Sequence, residues 1–332
     1  MPAAVDERNP SNEDPGAIAS AEPVTLAEAY RHCETLARSH YENFNVGGWI
    51  TPRQKLPHVY AIYSWCRMVD DLGDESLPSE PVAAAVDNGQ LDHTITTHRR
   101  SQLAWWEDEL EAIYCGQPTH PISIAVQHTV DTFDIPREPF QLLIKANVMD
   151  QGSGRFETLD DVLEYCRHSA NPVGHLYLYL FGYPDRRRLL LADHTCTALQ
   201  LTNFWQDVGR DYADRGRIYL PRTDMDRFGV TESDIANGSA TEAFRSLLRY
   251  ECDHTMRLFQ QGAPLVASLD RRAQLPVALF TRGGVAVLHA IRQQGYDVLS
   301  RRPALSKRQK AWLLASAWLG SKLGTGYGLP RA

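Results

Sequence analysis

In the stretch NFWQDVGRD, residues 203–211, an amide and two carboxylates recur every fourth position: Asn203, Asp207 and Asp211. In a helix they share one face, beside Phe204 and Trp205. A second acidic stretch, RMVDDLGDE at 67–75, repeats the spacing, with Asp70 and Asp74 four apart and Asp71 and Glu75 one step on. Either ladder alone reads as a solvated acidic face. Two ladders facing across a cavity make an oxygen-rich site for a hard divalent cation such as Mg2+, which takes carboxylate, carbonyl and water oxygens and is often completed by substrate phosphates. Left unneutralised, such carboxylates raise one another's pKa. About two or three Mg2+ ions bridging a diphosphate would relieve the repulsion and stabilise the departing pyrophosphate.

The neighbours leave alternatives open. Val69, Leu72, Phe204 and Trp205 suit a greasy chain running beyond a charged head, and suit plain helical core packing as well. Arg67 lies one turn before Asp70 and Asp71, and Tyr63 one turn before Arg67. Arg67 either pairs with Asp71 or offers its fork to a diphosphate. In DRGRIYLP, 214–221, Arg215 and Arg217 either fold over the site or belong to a solvated loop.

What must position these residues is set by the rest of the chain. Its 332 residues are 43% hydrophobic and 23% charged, enough for a substantial core in one large domain or two. The net charge of -7 gives no electrostatic footprint for nucleic acid, so none is expected as a partner. Six cysteines are scattered without a CxxC pair, which reads as reduced thiols in a cytoplasmic protein. The first 24 residues are polar and Pro-rich, lack the pattern of a signal peptide, and are expected to form a disordered tail. No uninterrupted apolar run is long enough to span a bilayer. AWLLASAWLG, 311–320, reads as a buried core helix, with peripheral contact at the inner face of a membrane as the second reading.

Helical signals dominate from Thr25, where TLAE has the capping-box pattern. Helices are expected over 25–41, 56–71 with loosening at Gly73, 99–115, 121–133, 138–149, 158–168, 172–181, 187–210, 241–262, 276–295 and 306–319, with an excursion over 76–98. No strand pattern and no GxGxxG after a strand occur. The expected fold is all-α: a single helical bundle around a central cavity, residues 25–322, followed by a tail at 323–332.

The order YAIYSWCRMVDDLGDE, YCRHSANPVG, LQLTNFWQDVGRDYADRGRIYLP resembles the squalene and phytoene synthase family, with motifs over roughly 30–295. The resemblance implies the isoprenoid synthase fold, with two aspartate-rich helices binding Mg2+ and prenyl diphosphate. Within the family, HYENFNV at 40–46, SANPVG at 169–174 and NFWQD at 203–207 resemble the HpnC-type hydroxysqualene synthases of hopanoid-making bacteria. These take presqualene diphosphate from a sister synthase, ionise it and capture the rearranged cation with water, so no NADPH is expected.

By position, the resemblance implies that Asp70, Asp74, Asn203, Asp207 and Asp211 bind metal. It likewise implies that His40, Asn43, Tyr63, Arg67, Gln200 and Arg217 bind substrate, that Tyr165 lines the reaction cavity, and that Asp71 supports the first motif. Condensing relatives carry Lys where this chain has Glu42 and Arg where it has Gln206. Both changes remove a charge that would hold a second diphosphate, which fits a protein handling one. Restoring them by Glu42→Lys with Gln206→Arg is expected to strengthen farnesyl diphosphate binding. Arg210, where condensing relatives often have Glu, returns a charge of unspecified direction. The alternatives are a head-to-head condensing synthase making squalene, dehydrosqualene or phytoene, and a non-catalytic assembly factor of the same fold.

Overall fold

The computed structural model describes residues 24–39, 51–74, 88–152 and 154–323. The expected tail before Val24, the segment 75–87 and the end beyond Leu323 lie outside the described residues. All described elements are α-helices, and the sole strand-like feature among them is an isolated bridge between Arg155 and Ile218. The chain divides into two compact units, one of Met1–Asn45 and Arg53–Gln151, the other of Val46–Pro52 and Gly152–Ala332.

The first unit contains α1 (Leu26–Ser39), α2 (Leu56–Asp74), α3 (Asn88–Cys115), α4 (Pro121–Phe133) and α5 (Glu138–Met149). The expected capping box forms: Thr25 N donates to Glu28 Oε2 at 2.9 Å and Glu28 N to Thr25 Oγ1 at 3.3 Å. The core centres on Trp65, stacked on Trp106 at 4.5 Å and set edge-on to Phe140, with Val69 and Leu110 fully buried around it. Tyr30 ties three helices together, its hydroxyl lying 3.0 Å from His58 Nδ1 and 2.8 Å from His128 Nδ1.

Two expectations fail here. Helix α2 runs through Gly73 without loosening, and α3 begins at Asn88, well inside the stretch read as an excursion. Local glycine and Asn/Gly signals are weak priors that tertiary packing overrides.

The second unit contains α6 (Leu159–Ser169), α7 (Asn171–Leu180), α8 (Arg186–Arg215), the short helices α9 (Arg222–Phe228) and α10 (Glu232–Ala236), α11 (Glu242–Gly262), α12 (Pro264–Ser268), α13 (Arg271–Gln293) and α14 (Lys307–Leu323). The 30-residue α8 is its axis. Asp185 caps its N-terminus by accepting from Arg188 N at 3.1 Å, and Gly216 ends it in the left-handed conformation at φ 61°. Helices α7, α11 and α13 pack on α8. Trp205, fully buried, donates to Thr255 Oγ1 of α11 at 2.8 Å, so of the apolar neighbours Trp205 and Phe204 are core, as Val69 is in the first unit. By length and composition α13 passes for a membrane span, but its stripe from Ala273 through Val277, Thr281, Val285 and Leu288 is buried within the unit, which marks a core helix. The short helices are too brief for a periodic signal, although the capping box Thr231–Asp234 that opens α10 is legible in the sequence.

Glu251 of α11 is fully buried, and neither carboxylate oxygen has a hydrogen-bond partner among the described residues. Burial first, and the neighbouring Asp224 second, push its pKa up to about 8. The unfolded chain releases this proton near pH ~4.3. The folded protein therefore holds a proton the unfolded one has lost, and stability falls as pH rises from there through about 8. Glu251→Gln is expected to raise Tm by a few degrees at pH ~8 and by little at pH ~5. Thermal melts across that range check it, and an equal gap at both ends would mean that Glu251 does not titrate there.

Candidate active site

In the first unit, α2 presents Tyr63, Arg67, Asp70 and Asp71 on successive turns, and Asp74 closes the helix. Asp70 is exposed, whereas Asp71 is buried and ion-paired with Arg67 Nη2. Of the two roles open to Arg67, the structural pairing is formed. Burial works against the guanidinium charge, but the Asp71 hydrogen bond and the charges of Asp71, Asp70 and Tyr63 together outweigh it and the pKa is raised. Its buried Nε has no partner among the described residues. Burial also raises the Tyr63 phenol, against the pull of Arg67.

A residue the sequence reading missed steadies this helix. Asn147 Nδ2 of α5 donates to Asp70 Oδ1 at 3.3 Å, and Gln151 Nε2 donates to the Gly73 carbonyl at 2.9 Å. A Cβ at position 73 would stand 2.3 Å from Asn147 Oδ1, so the glycine is what lets Asn147 reach the acidic turn. His40, Glu42, Asn43, Glu75 and the side chain of Asp74 lie outside the described residues.

In the second unit, α8 carries Gln200, Asn203, Asp207 and Asp211 along one row, with Asn203 exposed and Gln200, Asp207 and Asp211 half-buried. Burial first, then the charge of Asp207, push the Asp211 carboxyl up to about 6, while Arg215, Arg217 and Arg210 pull the other way. The two carboxylates stand one turn apart with Asn203 one turn before them, and among the described residues no group of three or more His, Cys, Asp or Glu side chains gathers closely enough to hold a metal ion by itself.

Both oxygens of Asp207 meet one guanidinium: Arg302 Nη2 donates to Oδ2 at 2.8 Å and Arg302 Nε donates to Oδ1. Gln206 organises this contact from a buried position. Its Oε1 accepts from Arg302 Nη2 at 3.1 Å and its Nε2 donates to the Pro303 carbonyl. The neutral residue at 206 therefore does not leave this end of the helix without a cation, because Arg302 supplies one from a distant segment.

The stretch after α8 is not a solvated loop. Ile218, Tyr219 and Leu220 are buried, and Arg155 grips it by donating to the Gly216 carbonyl while pairing with Glu232 at 2.8 and 3.0 Å. Arg217 N donates to the Asp211 carbonyl at 3.0 Å, which fixes the backbone at Arg217 beside the ladder. Arg210 turns outward, paired with Asp214 at 3.3 Å in an exposed contact. Phe204 and Tyr219 stack at 3.7 Å, with the buried Tyr165 5.9 Å from Tyr219 and Phe156 beyond it. This aromatic cluster begins one residue from Asn203 and belongs to the buried core of the second unit, with Tyr165 and Phe204 each 5% exposed.

A family model for squalene/phytoene synthase matches residues 37–309. The chain is 32% identical over 321 residues to the 15-cis-phytoene synthase of Synechocystis sp., covering 92% of this chain and 89% of that one. The crystal structure of squalene synthase HpnC from Alicyclobacillus acidocaldarius matches at 42% identity with a TM-score of 0.73, over 83% of this chain and 97% of that one. A dehydrosqualene synthase solved in complex with a ligand matches at 25% identity and a TM-score of 0.76, over 91% and 98% of the two chains. With acidic ladders on α2 and α8, an aromatic cluster beside the second, and this extent of similarity, the chain belongs to the squalene/phytoene synthase family.

Proposed function

We propose that this protein is an isoprenoid synthase that converts presqualene diphosphate to hydroxysqualene as a step toward hopanoids, receiving its substrate from a sister synthase. The observation that carries diphosphate chemistry is the row Asn203, Asp207, Asp211, whose crowded carboxylates call for a cation. Mg2+ held by Asp70, Asp74, Asn203, Asp207 and Asp211 would neutralise the leaving diphosphate. Arg67 and Tyr63 on α2 offer donors to its oxygens, and Arg217 does so beside the second ladder. Phe204, Tyr219 and Tyr165 give the hydrocarbon an apolar surface and keep bulk water from the cation.

The bookkeeping of atoms needs no reductant. The C–O bond breaks with its electron pair leaving on diphosphate, the cyclopropylcarbinyl cation rearranges, and one water adds and loses one proton. The 42% identity to squalene synthase HpnC supports the HpnC-type assignment, and the motifs at 40–46, 169–174 and 203–207, which resemble the hydroxysqualene synthases, support the alcohol as product.

A second reading, head-to-head condensation of two prenyl diphosphates, is favoured by Arg302, which returns a guanidinium beside Gln206, and by the similarity to phytoene synthase. One assay separates the readings: purified protein with Mg2+ and either presqualene or farnesyl diphosphate, with and without NADPH, in water enriched in heavy oxygen. The expected product is a labelled alcohol from presqualene diphosphate alone, formed without NADPH. Efficient condensation of farnesyl diphosphate would promote the second reading, NADPH-dependent squalene without labelled alcohol would replace hydroxysqualene as product, and no turnover of either substrate would favour an assembly factor.

A further inference from the structure

We propose that helix α14 docks this protein on an anionic phospholipid surface. From Val298 to the C-terminus the sequence contains no Asp or Glu against seven Lys and Arg, in a chain whose net charge is -7. The first turns of α14 carry Lys307, Arg308 and Lys310, all exposed, with no acidic residue among them. Cations at a helix N-terminus oppose the macrodipole, so helix stability does not explain them. The start is instead capped by neutral groups: Ser306 N donates to Gln309 Oε1 at 2.8 Å and Gln309 N to Ser306 Oγ at 3.2 Å.

Directly after the cations the helix turns apolar on its outer side. Trp312 is 62% exposed and Leu314 40%, with Ala311 and Ala315 open beside them. The inward contacts are Leu313, which is buried, and Ser316, whose hydroxyl accepts from Arg282 Nη2 of α13 at 3.1 Å. Over residues 307–316 the helix meets its unit through Leu313 and Ser316 and shows solvent a basic end followed by Trp, Leu and Ala. A helix face in water is normally polar, and an exposed indole beside lysines matches the lipid headgroup boundary, where the ring sits apolar side down and the cations meet anionic phosphates. A second copy is a poorer occupant, because pairing two such faces brings their cations together.

The test is cosedimentation of the full chain with vesicles of phosphatidylcholine alone or mixed with phosphatidylglycerol, without substrate, so that it stands apart from the presqualene assignment. Binding is expected to the anionic vesicles only, and to weaken in ~0.5 M NaCl. Lys307→Gln, Arg308→Gln and Lys310→Gln together should lower the partition coefficient on the order of 100-fold, at about fivefold per cation. Trp312→Ser with Leu314→Ser should lower it about tenfold or more. All five positions are exposed, so helical circular dichroism should not change. Failure of the wild type to cosediment with anionic vesicles, or undiminished binding by the triple variant, overturns the proposal. Self-association abolished by the Trp312 and Leu314 changes, with no vesicle binding, also overturns it and gives the face to a second copy.

Discussion

Replacing Asp70 or Asp207 with alanine is expected to lower kcat by about 10^2 to 10^3-fold while leaving the fold intact. Each variant removes a carboxylate oxygen donor from a proposed cation site, and electrostatic stabilisation of a leaving group is where such donors act. Neither side chain holds the core. Asp70 is exposed and accepts from Asn147 at 3.3 Å, while the Asp207 pair with Arg302 is 46% exposed on the arginine side. Pairs of that kind contribute about 0–1 kcal/mol, so Tm should move by a few degrees at most. Asp207→Asn is the sharper control, since it keeps shape and loses charge. Chelation should stop the wild-type reaction and added Mg2+ should restore it. Near-normal turnover by either alanine variant at low Mg2+ would refute the assignment of these residues to metal.

What the sequence made legible is what lies within one helical turn. The ladders needed only a spacing of four, and Thr25 with Glu28 announced a helix start by the chemistry of two residues three positions apart. Long-range partners leave no such trace. Asn147 reaches Asp70 across 77 positions and Arg302 reaches Asp207 across 95, and nothing in either stretch marks it as a partner of an acidic helix. The same holds for Arg155, whose grip on the Gly216 carbonyl and Glu232 turns an apparent loop into a fixed segment. Gly73 misled in the opposite direction. A glycine read as a helix breaker is instead the absent side chain that admits Asn147. Gln206 reads in the sequence as a neutral residue, and what it does depends on what its amide holds.

Arg302→Gln is expected to tighten Mg2+ binding to the substrate-free protein by about fivefold and to raise KM for the diphosphate substrate. In the structure both Asp207 oxygens are engaged by the Arg302 fork, and a cation entering the α8 ladder has to displace it. A half-exposed ion pair of this kind is worth about 1 kcal/mol, which corresponds to roughly fivefold in metal affinity. The displaced guanidinium then stands free beside the site, tethered through Gln206 and Pro303, where a diphosphate would take up its donors. Removing it therefore helps the metal and hurts the anion, a pair of opposite effects that general damage to the fold would not produce. Gln206→Arg is expected to act differently from a simple gain of charge. It would set a second guanidinium against Arg302 in a buried position and break the hydrogen bond to the Pro303 carbonyl, so lost stability should outweigh any added affinity for farnesyl diphosphate. Isothermal titration of Mg2+ without substrate, alongside KM for the substrate, checks the Arg302 variant. Unchanged metal affinity would mean that the fork does not guard Asp207, and an unchanged KM would mean that the released guanidinium does not meet the diphosphate.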